Sequence, residues 1–153
     1  MISALISRRT AIQSTLLALA VTLAGCSWMP GMGSDTMSMK NALTGAQEVP
    51  PVTTGGSGTL DSSFDKGTNV LTWTVTYSGL SGPLTAGHIH GPAAAGANAG
   101  VVIPFTGDLA SPIKGKATLT AAQVADLMGG RYYVNLHTAK NPGGEIRGQL
   151  TAK

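Results

Sequence analysis

Three histidines, His88, His90 and His137, are the side chains with the most chemistry to offer. In an extended strand, residues i and i+2 share a face, so His88 and His90 project together while Ile89 points the opposite way. The stretch Tyr132 to His137 alternates in the same manner. Tyr132, Val134 and Leu136 make one apolar face, and Tyr133, Asn135 and His137 make a polar one. If these two strands are neighbours, three imidazole nitrogens converge, which is the donor set of a zinc or copper site with an open position. In the segment that follows, Glu145, Arg147 and Gln149 alternate with Ile146, Gly148 and Leu150. The turn formers between Thr138 and Gly144 predict a hairpin that brings Glu145 beside His137. There Glu145 can orient an imidazole, Arg147 can hold an anion, and Asn135 shares their face. The same spacing also fits a plainer arrangement, in which the histidines brace loops and Glu145 and Arg147 form a cross-strand ion pair.

Other chemistries find little support. No serine sits in a Gly-x-Ser-x-Gly elbow, and Asp61, Asp65, Asp108 and Asp126 are too scattered to act as a carboxylate pair. With Phe 2 and Trp 2 there is no base-stacking platform. The net charge of +3 is unclustered, so nucleic acid is not an expected partner. An enzyme is therefore less expected than a non-catalytic module. Met29, Met32, Met37 and Met39 add four thioethers before the domain, which suit monovalent copper if they converge and otherwise act as flexible spacing.

The elements that must position the histidines have a period of two. Val70 to Tyr77 is the clearest, with Leu71, Trp73, Val75 and Tyr77 on one face and threonines on the other. Similar runs occur at 58–64, 84–90, 101–106, 116–119, 131–138 and 145–151, each bounded by Gly, Pro or Asn. Seven or so short strands with frequent turns predict an all-β, antiparallel immunoglobulin-like or Greek-key sandwich or barrel. One segment differs. Thr120 with Gln123 forms a capping box, Val124, Leu127 and Met128 make an apolar stripe, and Gly129 is the expected left-handed stop, so 120–128 should be a short helix closing one end.

The N-terminus has another purpose. Arg8 and Arg9 precede an apolar run, Ala11 to Ala24, that is shorter than the roughly 20 residues of a membrane span. Residues 1–25 read as an export signal. Leu23-Ala24-Gly25-Cys26 resembles the bacterial lipobox, which makes Cys26 the expected lipidated first residue of the mature chain. Ser27 is not the aspartate of an inner-membrane retention signal, so the expected location is the bacterial cell envelope, at the outer membrane. Residues 26–40 read as a flexible methionine-rich tether and 41–153 as the domain. Loss of Arg8 and Arg9 lowers the charge to +1, so the basic balance belongs largely to the signal.

Four ordered motifs then carry a resemblance. They are Leu43-Thr44-Gly45-Ala46-Gln47-Glu48-Val49-Pro50-Pro51, Ala86-Gly87-His88-Ile89-His90-Gly91-Pro92, Tyr133-Val134-Asn135-Leu136-His137-Thr138, and Asn141 to Leu150. Together they resemble the CHRD domain, the module repeated in chordin and found singly in bacterial exported proteins. The resemblance implies an immunoglobulin-like barrel with no general enzymatic activity, and a setting of protein binding. The His-x-His strand and late Gly-Gly-x-x-Arg segment are also similar to copper/zinc superoxide dismutases. That enzyme's bridging histidine, zinc loop and disulfide have no counterparts here, which leaves a copper-dependent superoxide-metabolising enzyme as a distant alternative. The expectation is thus an envelope lipoprotein with a three-histidine copper or zinc site. The alternative is a metal-free module presenting the small-residue loop 91–100 to an envelope or extracellular protein.

Overall fold

The computed structural model describes residues 35–152. The expected signal 1–25, Cys26, Met29 and Met32 lie outside them. Eight strands form: β1 (Thr36–Thr44), β2 (Ser57–Asp65), β3 (Val70–Ser78), β4 (Leu84–His90), β5 (Val101–Pro104), β6 (Ile113–Thr118), β7 (Tyr132–Thr138) and β8 (Ile146–Leu150). They make one antiparallel sheet in the order β5-β4-β7-β8-β1-β2-β3-β6. Its two ends approach each other, giving a nearly closed barrel. Trp73 of β3 stacks on Phe105, just beyond β5, with ring centroids 5.5 Å apart. Ile103, Lys114 and Lys116 line the narrow cleft beside this stack. Gly115 is required there, because a Cβ would collide with the Trp73 indole.

The period of two explains the interior. Leu71, Trp73 and Val75 are buried while Thr72 and Thr76 are exposed, and Leu60, Ser62 and Phe64 of β2 face the same core. β1 takes up residues 36–40, which the sequence placed in the tether. Met39 is buried in the core and Met37 packs against it, so these two thioethers fill space away from the histidines. Asn41, also turned inward, donates from Nδ2 to the Thr151 carbonyl at 3.2 Å. β5 stops at Pro104 rather than reaching 106, and β6 runs from Ile113 to Thr118 rather than 116–119, its start having been hidden by Lys114-Gly115-Lys116, which carries no hydrophobic alternation.

The helix α1 (Ala121–Met128) has the expected capping box. Gln123 N donates to Thr120 Oγ1, and Thr120 N donates to Gln123 Oε1. Only Leu127 of the stripe is buried, Val124 is half-buried, and Met128 is exposed. Gly129 keeps a negative φ, and the left-handed residue is Gly130, at φ +64°.

β7 departs from a simple two-faced strand. All seven of its residues are buried. Tyr132, Val134 and Leu136 enter the hydrophobic core, while Tyr133, Asn135 and His137 lie in a second, polar layer on the opposite side. Strand pairing sets the rows of that layer: His88 faces Asn135 across β4–β7, and Asn135 faces Arg147 across β7–β8.

Candidate metal centre

The three histidines meet as the spacing predicted. β4 and β7 are neighbours, and one nitrogen from each imidazole lies within 4.8 Å of the other two. A triangle with no side longer than 4.8 Å has a centre within about 2.8 Å of each corner, near the 2.0–2.1 Å of a zinc–imidazole bond. His88 Nδ1 and His137 Nε2 are 3.0 Å apart. His90 and His137 are buried, and His88 is half-buried.

Backbone carbonyls select the tautomers. His137 Nδ1 is 3.0 Å from the Pro142 carbonyl, and His90 Nδ1 is 3.0 Å from that of Ala99. A carbonyl only accepts, so both Nδ1 atoms carry hydrogen and both Nε2 atoms keep a lone pair. His90 Nε2 is buried without a partner. Burial, followed by the neighbouring imidazoles His137 and His90, holds His88 below the usual histidine value. His137 is also lowered, because burial outweighs its bond to Pro142. Both are thus neutral near pH 7, the form that binds a metal.

The companions expected around the imidazoles are placed differently. Glu145 does not orient His137. Its carboxylate accepts from Thr54 Oγ1 (2.6 Å), Ser81 N (2.7 Å), Ser81 Oγ (2.6 Å) and Thr138 Oγ1 (2.6 Å). Burial alone would raise its pKa, but these four donors bring it down to about 2. Nor does it pair with Arg147; among the described residues the ion pairs are Lys40–Asp61 and Arg131–Asp126. Arg147 is buried under the loop 91–100. It donates from Nη1 to Asn98 Oδ1 (3.0 Å) and from Nη2 to the Ala97 carbonyl (2.8 Å). Its Cζ lies 3.4 Å from the Tyr133 ring centroid. Asn135 donates weakly to Gly143 O at 3.4 Å, and its Oδ1 is buried without a partner.

Sequence reasoning missed three participants. Tyr133 stacks on His90, with ring centroids 4.9 Å apart and planes 6° from parallel. Glu48 is buried near Arg147 and Asn135. Burial pushes its carboxyl up to about 7, although Arg147, the Val49 amide and Asn135 oppose the rise. An isolated acid in the stretch Ala46-Gln47-Glu48-Val49-Pro50 was the available signal. The third participant is the backbone of loop 91–100, whose side chains gave no sign of its role. Gly144 is needed at φ +127°, where a Cβ would also collide with Glu48 Oε1.

An antiparallel barrel carrying a buried polar layer and three convergent imidazoles is the class of molecule these observations define. The chain belongs to the CHRD domain family, which it matches over residues 39–150. Membership suggests a non-catalytic interaction module. Neither a curated protein nor a solved structure matches the chain.

Proposed function

We propose that this is a non-catalytic CHRD module of the bacterial cell envelope, anchored at the outer membrane by lipid on Cys26, which holds one copper or zinc ion on His88, His90 and His137. The observation that carries the metal reading is the convergence of three nitrogens while Pro142 and Ala99 hold two of the rings with hydrogen on Nδ1 and the lone pair on Nε2. On this reading His90 and His137 bind through Nε2, and His88 binds through Nδ1 once the hydrogen it donates to His137 Nε2 has moved to its own Nε2. The half-exposed His88 leaves the ion reachable from solvent, which suits uptake and release. The anchor reading is supported by the lipobox-like Leu23-Ala24-Gly25-Cys26.

Metal analysis of the full chain purified in detergent, after equilibration with copper or zinc, tests this. The parent should hold about one ion per chain, and His88→Ala and His137→Ala should fall to background, as expected for a site with three protein ligands. No binding above background in the parent would overturn it. Metabolic labelling with a fatty acid, lost in Cys26→Ser, tests the anchor. Family membership favours a second reading, docking of an envelope or extracellular protein without metal. Partner capture that is unchanged in both histidine variants would support that reading.

A further inference from the structure

Resting on the three-histidine reading, we propose that Tyr133 and Arg147 are positioning residues of the metal centre, which hold His90 in place through the loop 91–100. The Ala99 peptide is the link. Its carbonyl accepts from both His90 Nδ1 (3.0 Å) and Tyr133 Oη (3.3 Å), and its N–H donates to the same phenol oxygen (3.1 Å). Anything that moves Ala99 therefore moves the bond that fixes the His90 tautomer.

The loop has few means of holding itself. Residues 94–98 are exposed, and four of the five are Ala or Gly. Its place is set from beneath. Arg147 grips Ala97 O and Asn98 Oδ1, Gln149 Nε2 donates to Ala93 O at 2.9 Å, and Asn98 Nδ2 donates to Val49 O at 3.0 Å. Two routes lead from Arg147 to His90. One runs along the loop to Ala99, and the other passes through the Tyr133 ring, which contacts both the guanidinium and the imidazole. The loop makes no such bond to His88 or His137, so the effect falls on one ligand of the three.

Arg147 is also a cation only 1% exposed; among the described residues no ion pair closes upon it, and Glu48 acts on it only as a nearby acid beyond ion-pair distance. A buried charge of that kind is costly to keep for stability alone. Beside a metal centre it favours the ion of lower charge, and so monovalent over divalent copper.

The test uses the full chain in detergent with Tyr133→Phe, Arg147→Lys and Arg147→Met. Tyr133→Phe keeps the ring and removes the phenol bonds. Arg147→Lys keeps the charge and removes the two-pronged grip, whereas Arg147→Met removes both. Copper(I) affinity is read by competition with a chromophoric chelator, copper(II) geometry by electron paramagnetic resonance, and the midpoint potential by redox titration. Partners that orient a metal ligand typically matter by 10–100-fold, so Tyr133→Phe and Arg147→Lys should bind copper about tenfold more weakly, with altered copper(II) spectra. Arg147→Met should in addition show a lower potential than Arg147→Lys. Variants that melt earlier yet keep the parent's affinity, spectrum and potential would make the role purely structural and overturn the proposal while leaving the metal site standing. A parent that binds no copper or zinc would remove both. If Arg147→Met fails to fold, Tyr133→Phe and Arg147→Lys decide.

Discussion

Glu145 and Glu48 are both buried carboxylates near the β7–β8 hairpin, yet their surroundings are opposite. Around Glu145, Thr54, Ser81 and Thr138 supply four donors, and the cluster is complete within the chain. Around Glu48, the polar layer is unfinished: Glu48 Oε1, Asn135 Oδ1, Gln149 Oε1 and His90 Nε2 are buried without partners. The saturated cluster ties three segments together, and nothing in it is left to bind. The unsaturated layer costs stability and offers lone pairs, one of them in the three-histidine cluster. Of two neighbouring polar clusters, the incomplete one is therefore where a ligand is expected.

The contrast can be broken most severely at Glu145. Its folded-state pKa of about 2 lies below the ordinary 4.5, so its contribution is present above pH 4.5 and is lost as pH falls from there towards 2. At pH 7 this amounts to about 3 kcal/mol. Urea unfolding at a series of pH values should show Glu145→Ala less stable by about that amount at pH 7, with a flattened acid limb. An unchanged acid limb would mean the cluster is not saturated in the sense argued. Next in size is the metal itself. At a free zinc concentration 100 times the Kd, binding should raise stability by about 2.7 kcal/mol. The gain should survive in Glu145→Ala and vanish in His90→Ala, as read by denaturant titration.

Glu48 should behave as the mirror of Glu145. Its pKa is raised to about 7, so the folded state holds more protons than the unfolded one between pH 4.5 and 7, and stability falls as pH rises through that range. Glu48→Gln removes the liability. It should be more stable than the parent by about 1–2 kcal/mol above pH 7 and about equal near pH 4, the amide still being desolvated. A variant weaker than the parent at pH 8 would show that the charged acid is needed. The smallest effect belongs to Thr120→Ala, which opens the capping box of α1 at a cost of about 1 kcal/mol. It should leave metal uptake and both pH responses untouched.

The barrel and the histidine cluster were legible because both follow from a period of two. Strand alternation put His88, His90 and His137 on one side, and pairing of β4 with β7 completed the set. Glu145 was misplaced because alternation holds only within a strand. β8 begins at Ile146, and Gly144, at φ +127°, redirects the chain just before it. β1 was not foreseen as a strand, because inward-facing Met37, Met39 and Asn41 do not read as a hydrophobic face. The cover of the polar layer was illegible for a deeper reason. Ala93, Ala97 and Ala99 act through carbonyls that every residue possesses, so composition says nothing of them.

The stack of Trp73 on Phe105 has a consequence for how copies of this molecule behave at high density. An open sheet of eight strands would present two rows of unpaired backbone groups, each a template on which a second chain could pair and aggregate. Here one terminal strand is only four residues long, and the other carries the exposed Lys114 and Lys116. The two aromatic rings latch these ends toward one another. Gly115, by leaving room for the indole, is what lets this latch between the two ends form.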